Sequence, residues 1–383
     1  MIKKATSKTA KREKNAAPAA TISTRALNRA LLARQMLLQR HSMTALDAIE
    51  RLAGMQAQVA RPPFVGLWTR LANFTRTELT TALHDRRVVR VTAMRGTLHV
   101  MTSADYIALR GAMQPMLTKG TLAILRDRAA GLDMELLDAE GRKFFAKSPA
   151  TFDALRDHLK AKFPKRDERA MAYAIRTHVP LVQVPTDAPW AFPAAADFTL
   201  ADGWLARKVS TAATTAEALV LRYLAAFGPA TPGDAQAWSG LAGLREVFES
   251  LRPSLVTFRD ERKRELFDLP RAPRPDEDVD APVRFIPDFD NLVLSHDDRS
   301  RIMADSHRGR VTLKNLQVRA TFLVDGMIAG TWKSERKRKT AVLVIEPFAT
   351  VARRARTSLE DEGERLLAFL EDDASERVIR WSS

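Results

Sequence analysis

The sequence predicts an α+β chain of three tandem winged-helix modules followed by a C-terminal β-rich, barrel-like domain. Three observations carry that prediction. Helix-period stretches followed by a short pair of strand-like segments occur three times before residue 270. A stretch rich in Pro, Asp and Glu over 271–282 then interrupts the pattern and reads as a linker. Beyond it, over 283–383, the chain turns to β-branched segments separated by tight-turn signals. A length of 383 residues is also too great for one small core.

Residues 1–22 read as a disordered basic tail, in which Lys3, Lys4, Lys8, Lys11, Arg12 and Lys14 face only Glu13. Such a segment buries too little apolar surface to offset its ordering entropy. It is either a solvated appendage or a non-specific phosphate tether. The first module, 23–103, opens with Leu27, Ala30, Leu31, Leu37 and Leu38 at helical spacing. Thr44, with Asp47 three residues on, starts a second helix that stops at Gly54. A third follows over 64–71, Thr75 with Glu78 caps a fourth, and strand-like residues 87–92 and 97–101 flank Arg95-Gly96.

The second module, 104–205, repeats the order less regularly, with helical stretches at about 105–127 and 151–177 and short strands at 181–184 and 198–200. The third, 212–270, is clearer. A helix over 215–227 ends at Phe227-Gly228-Pro229, Thr231 and Asp234 cap a short helix reaching Trp238, and 241–251 supplies the next. Strands 255–258 and 265–269 then flank a charged turn bearing Arg259, Arg262, Lys263 and Arg264, which suits either a wing on DNA phosphates or an ordinary solvated turn. In 283–383, strands are expected at 283–286, 292–294, 320–324, 327–332, 341–346 and 377–381, with Asp325-Gly326 as a tight turn and a helix around 358–371.

The 61 Lys and Arg exceed the 46 Asp and Glu, giving a net charge of +15. That surplus favours a polyanionic partner, because bound cations release condensed counterions. Charge alone leaves DNA, RNA, ribosomes and acidic membranes open. The absence of cysteine removes disulfides, thiolate nucleophiles and Cys-held metals, and agrees with a reducing cytoplasm. Seven histidines without an H-x-x-x-H pair give no helix-borne zinc site. No apolar run approaches the roughly 18 residues that span a bilayer, and the N-terminus lacks the apolar core of a secretory signal. Neither G-x-G-x-x-G after a strand nor a P-loop is present. No cofactor, no metal and no membrane partner are therefore expected.

Gly54-Met55-Gln56-Ala57-Gln58 is the most informative stretch. If it is extended, residues two apart point the same way, so both amides project to one side. Paired carboxamides can hold a water through donors and acceptors together, but they are poor bases, so any catalysis rests on positioning. From spacing alone, two amides capping backbone groups is the stronger reading, since Gln-x-Gln is a very short pattern.

The run continues into Pro63-Phe64-Val65-Gly66-Leu67-Trp68 and Met94-Arg95-Gly96-Thr97-Leu98-His99. Later come Ala226-Phe227-Gly228-Pro229-Ala230-Thr231, Pro287-Asp288-Phe289-Asp290-Asn291-Leu292, Ser295-His296 with Asp298-Arg299-Ser300, Val324-Asp325-Gly326, Gly330-Thr331-Trp332 and Glu346-Pro347-Phe348. In this order, over 24–381, the chain resembles the YcaQ/AlkZ family of winged-helix DNA glycosylases. The resemblance implies three winged helices and a C-terminal β-rich domain around a cleft sized for double-stranded DNA. It implies excision of N-alkylated purines and, in some members, of bases tied into interstrand crosslinks. The family's catalytic Gln-x-Gln motif falls on Gln56 and Gln58, where related members carry Gln-x-Asp. Keeping both glutamines places this chain nearer the crosslink-unhooking branch.

A cationic alkylpurine is already a good leaving group, so the task is to stabilise an oxocarbenium-like sugar and place water near C1′. Base flipping serves most glycosylases; a crosslinked base needs an open cleft instead. Candidate DNA contacts are Arg61 beside the motif, Arg95 and His99 in the first wing, His296 and Arg299 near Asp298, and Arg262, Lys263 and Arg264 in the third wing. Lys333, Arg336, Lys337, Arg338 and Lys339 on a C-terminal hairpin complete the set. His99 suits a buried structural role at least as well, and for His296, Asp298 and Arg299 a salt-bridge network is the stronger reading. Three functions are thus open: a monofunctional glycosylase working as a monomer on alkylated duplex near the nucleoid, a non-catalytic winged-helix regulator, and an RNA-binding adaptor resting on charge alone.

Overall fold

Helices form where a capping side chain and apolar spacing agree. In the computed structural model, which describes residues 20–382, Ser23 caps Thr24–Arg34, Thr44 caps Ala45–Arg51 and Thr102 caps Ser103–Leu125, each accepting a backbone N–H of the first turn. Thr231 and Asp234 form a reciprocal capping box on Pro232–Ser239. Thr75 makes no such bond at Arg76–His84; Glu78 instead turns outward to accept the Ala45 N–H at 2.6 Å, tying two helices together. The 151–177 stretch is two helices, Phe152–Lys162 and Glu168–His178, because Thr151 and Asp167 each cap one. Met134–Phe145, capped by Asp133, is a helix the spacing did not reveal.

Three sheets organise the chain. Val256–Asp260 pairs antiparallel with Glu265–Asp268 and parallel with Thr21–Ile22. Of the tail expected over 1–22, residues 1–19 lie outside the described residues, and Thr21–Ile22 is strand, so order begins earlier than composition implied. The second sheet runs Met55–Gln56, Leu98–Thr102, Val88–Thr92, Leu181–Gln183, Phe198–Leu200, with every pair antiparallel. The strand pairs expected for two separate modules are therefore one sheet, joined where Arg90 faces Gln183 and Val91 faces Val182. The third runs in linear order from Arg284–Ile286 through Thr321–Val324, Met327–Lys337 and Thr340–Pro347 to Glu376–Trp381, its last pair parallel. The helix Arg353–Leu370 packs its buried Leu359, Leu366 and Leu367 on that sheet. Among the described residues no helix is long and apolar enough to cross a membrane.

One apolar core runs through all these regions, from Leu31 and Leu32 past Val91, Met113 and Tyr223 to Trp238, Leu292 and Ile302. It carries the C-terminal segment after residue 286 deep against the N-terminal helices. Residues 292–294, expected as a strand, are instead the short helix Asn291–Leu294, because the Asp290 carboxylate accepts the Leu292 N–H at 2.9 Å and starts a turn.

The 271–282 connection has no regular structure, yet it is strapped down. Arg34, wholly buried, donates to both oxygens of the equally buried Asp268 at 2.7 and 2.8 Å, and Arg274 from the connection joins the same carboxylate. Replacing one partner of a buried pair strands the other charge, which costs about 3–5 kcal/mol. Asp268→Ala is expected to lower unfolding stability by that amount in urea titration. A loss below ~1 kcal/mol would show that solvent reaches Arg34.

Candidate active site

The turn after Ala45–Arg51 delivers the glutamine motif. Ala53 and Gly54 both take left-handed backbone, with φ of 55° and 84°. A Cβ on Gly54 would stand 3.0 Å from the Met101 side chain and 3.2 Å from the Val100 carbonyl, so only glycine allows this close reversal. The reversal lays Met55–Gln56 on the edge of Leu98–Thr102, with Gln56 opposite His99. Ala57 continues the ladder with a 2.7 Å bond from its N–H to the Leu98 carbonyl. The helix Pro62–Arg70 then starts with prolines at its first positions, where no N–H is needed.

The two glutamines are unequal. Gln56 is buried, and its Oε1 accepts from the Arg95 guanidinium at 2.6 Å. That donor fixes which way the amide faces, and the Gln56 Nε2 has no protein partner among the described residues. Gln58 is exposed; its Oε1 accepts weakly from the Leu98 N–H at 3.4 Å, while Arg90 holds the Ala57 and Gln58 carbonyls beneath it. The expected matched pair is thus one anchored amide in a wall and one exposed, lightly held amide outside it.

Gln56 lines a narrow crevice of about 10 Å³, room for about one water, between residues 54–56, Pro62-Pro63 and the segment Pro287–Asn291. Asn291 donates to the Gly54 carbonyl at 3.2 Å and accepts from Arg95 at 3.2 Å, so Arg95 bridges Gln56 to the C-terminal segment. Arg95 also donates to the Trp238 carbonyl. Burial and nearby Arg299 draw its pKa down to about 10, which leaves it cationic at neutral pH. Between the motif-side helix and the segment 287–291, Arg70 makes a two-point pair with Asp290, both contacts 2.9 Å and both side chains buried. Gly66 lets this helix approach, since a Cβ there would meet the Met55 methyl at 2.5 Å. Asp288 faces the same crevice, and burial raises its carboxyl above the ordinary range against the pull of Arg61.

The other sequence candidates divide by exposure. Arg61 donates to Ser334 Oγ at 2.8 Å, linking the motif to the strand that carries Lys333. At the hairpin between Met327–Lys337 and Thr340–Pro347, Lys333 pairs with Glu335 and Arg336 with Glu371 and Asp373. Lys337, Arg338 and Lys339 at its tip are exposed, with no ion pair among the described residues. Arg262 and Arg264 are both held by Asp298, at 2.9 and 2.6 Å, while Lys263 between them is exposed. Arg299 is half-buried and donates to Thr312 Oγ1 at 3.1 Å.

Two expectations need correction, and Arg95 needs a narrower role. His99 and His296 are sealed from solvent and cannot reach a phosphate from where they stand. His99 Nδ1 bonds the Thr97 carbonyl at 3.1 Å; His296 lies between Ser295 Oγ at 2.8 Å and the Phe227 carbonyl at 3.1 Å. Arg95 is likewise folded inward, with its bonds spent on Gln56, Asn291 and Trp238. Asp288, Asp290, Asn291 and Arg70 were not singled out as site residues. Asp288–Asn291 sit 230 residues and more beyond Gln56, and only the fold brings them to it.

Burial pulls both histidines down to about 3 from 6.5, with Arg95 beside His99 and Arg301 beside His296 acting in the same direction. The unfolded chain takes up these protons below about pH 6.5, whereas the folded one resists until about pH 3. Stability is therefore complete above the unfolded value and drains away as pH falls through that window, by up to ~1.4 kcal/mol per pH unit for each ring. Imidazole NMR resonances of both should stay flat from about pH 8 to 5. Titration near pH 6 would show that the rings meet water.

The model of the family described as DNA glycosylase AlkZ-like matches residues 49–369. No curated protein matches the chain by sequence. Among solved structures, Streptomyces sahachiroi DNA glycosylase AlkZ superposes with a TM-score of 0.78 at 22% identity, covering 94% of this chain and 100% of that one.

Proposed function

The chain belongs to the AlkZ-like DNA glycosylase family, and from that premise we propose that it hydrolyses the N-glycosidic bond of N-alkylated purines in double-stranded DNA, using water positioned by Gln56 and Gln58. The observation that carries this reading is the Gln56 amide. Arg95 occupies its oxygen, so its NH₂ is left to hold a water oxygen in the crevice. Holding a nucleophile in line accounts for catalysis by a group with no useful acidity. Exposed Gln58, on the same edge, orients the water or the sugar from outside once duplex covers it. The reaction is monofunctional, leaves an abasic site and asks for neither cofactor nor metal. We extend the same reading to purines tied into interstrand crosslinks, whose partial tethering suits a wall-mounted amide better than an enclosing pocket. The helix-and-hairpin groups before residue 270 fit three winged helices. The C-terminal sheet with its covering helix fits the β-rich module.

The test is duplex containing 7-methylguanine, incubated with protein and then cleaved by alkali at abasic sites. Wild type should cut; Gln56→Ala with Gln58→Ala should slow base release by roughly 10²-fold or more while still binding duplex. Duplex binding without base release by the wild type would favour a non-catalytic DNA-binding role.

The unpaired hairpin tip makes a separate prediction. Replacing Lys337, Arg338 and Lys339 by alanine should weaken binding equally across sequences. It should also make the plot of log affinity against log salt shallower by roughly 2 to 3, since each lost phosphate contact removes about 0.9. An unchanged slope in fluorescence anisotropy would place the tip away from DNA.

A further inference from the structure

We propose that Asp288 is the general base that takes the proton from the attacking water at the Gln56 crevice, an inference that rests on the glycosylase reading above. An amide can hold water but cannot accept its proton, so hydrolysis needs another group within reach. The crevice offers two carboxylates, Asp288 and Asp290. Those of Asp290 are spent: one oxygen takes Arg70 and the Leu292 N–H, the other takes Arg70 again, all at 2.9 Å. Asp288 is held more lightly, with Oδ1 accepting the Ala320 N–H at 3.2 Å and the residue's own N–H lying against the carboxylate. No side chain among the described residues bonds its carboxylate, which keeps lone pairs for water. The histidines do not compete, because both are sealed in the core.

The backbone supports the assignment. Phe289, between the two carboxylates, is held at φ 59°, a left-handed conformation that a bulky residue adopts only when its surroundings impose it. Its ring packs toward the main core while Asp288 and Asp290 both face the crevice. The charges around Asp288 are Arg61 from the start of the motif helix, Arg319 before the strand Thr321–Val324, and the paired Arg70 and Asp290. Arg319 is itself engaged by Glu346, so desolvation outweighs the cations and the carboxyl titrates above its ordinary value. A base shifted toward neutrality accepts a proton more readily than a fully solvated carboxylate.

In the step itself, the water oxygen bonds to C1′ as the bond from C1′ to the purine nitrogen breaks. The bonding pair leaves with the purine and cancels its positive charge. The water proton passes to Asp288 and from there to solvent.

The experiment is single-turnover release of 7-methylguanine across pH for wild type, Asp288→Asn and Asp288→Glu, with duplex affinity measured for each. Wild type should show a rate that rises with pH through a group above the ordinary carboxylate range and then levels. Asp288→Asn should lose that rise and run about 10²-fold slower, with duplex Kd within about twofold. Asp288→Glu should recover at least about tenfold over the amide. An Asp288→Asn protein with the wild-type rate, or one slowed with its acidic limb intact, overturns the assignment. If that variant does not fold, a wild-type rate flat from about pH 4 to 6 overturns it equally. Wild type that binds duplex but releases no base overturns the glycosylase reading itself, and needs no variant to show it.

Discussion

The two-point pair between Arg70 and Asp290 sets the geometry on which the crevice depends. It joins the helix after the glutamine motif to a segment more than two hundred residues later, and both groups are withdrawn from water. Desolvation makes such a pair costly unless every remaining donor and acceptor is satisfied. Here they are. Arg70 Nε reaches the Gln35 carbonyl at 3.0 Å and Nη1 also reaches the Gly66 carbonyl at 3.0 Å, while Asp290 starts the helix Asn291–Leu294. A pair satisfied this fully has one geometry open to it. The separation of the two crevice walls is therefore set by hydrogen-bond lengths and not by the looser packing of apolar side chains.

Arg95 ties the same two segments together beside Gln56. Its three contacts come from Gln56, from Asn291 and from the end of Pro232–Ser239. One guanidinium thus reads the positions of three regions of the chain, and the orientation of the Gln56 amide follows from all of them. Arg95 itself sits at φ 56°, at the tip of the hairpin between Val88–Thr92 and Leu98–Thr102. The tip that sequence order marks as an outward wing is folded into the body, and its strain is held by those contacts.

What the sequence made legible is what local chemistry decides. Thr44, Thr231 and Asp234 announce helix starts because the cap and its partner lie three residues apart. Asp325-Gly326 turns where it should, with both residues at positive φ. Gln56 and Gln58 stand out because the motif is contiguous. What stayed hidden is what depends on distant partners. Asn291–Leu294 is apolar enough to pass for a strand, and only the Asp290 cap and a place in the main core make it helix. The pairing of Arg90 with Gln183, which merges two expected modules into one sheet, has no local sign. Nor does the burial of His296, which is followed by Asp297, Asp298 and Arg299, whereas His99 lies in the apolar run Leu98 to Met101 that suits a buried ring.

The net charge of +15 also means something different once the chain is folded. Arg29, Arg34, Arg70 and Arg110 are among the largest wholly buried side chains, and Arg90, Arg95 and Arg301 are drawn inward as well. Most of their donors are spent on carbonyls and carboxylates, as when Arg34 takes Asp268 and Arg301 takes the Pro229 carbonyl. These cations fix the architecture and are withheld from any polyanion at the surface. The charge left to attract phosphate is the exposed remainder, such as Lys263 and the tip Lys337 to Lys339. Composition therefore signals the polyanion correctly while overstating how many cations can touch it. Arginine's planar fork explains the division: it can be buried against several carbonyls at once, whereas an ammonium, compact and strongly hydrated, is better left in water.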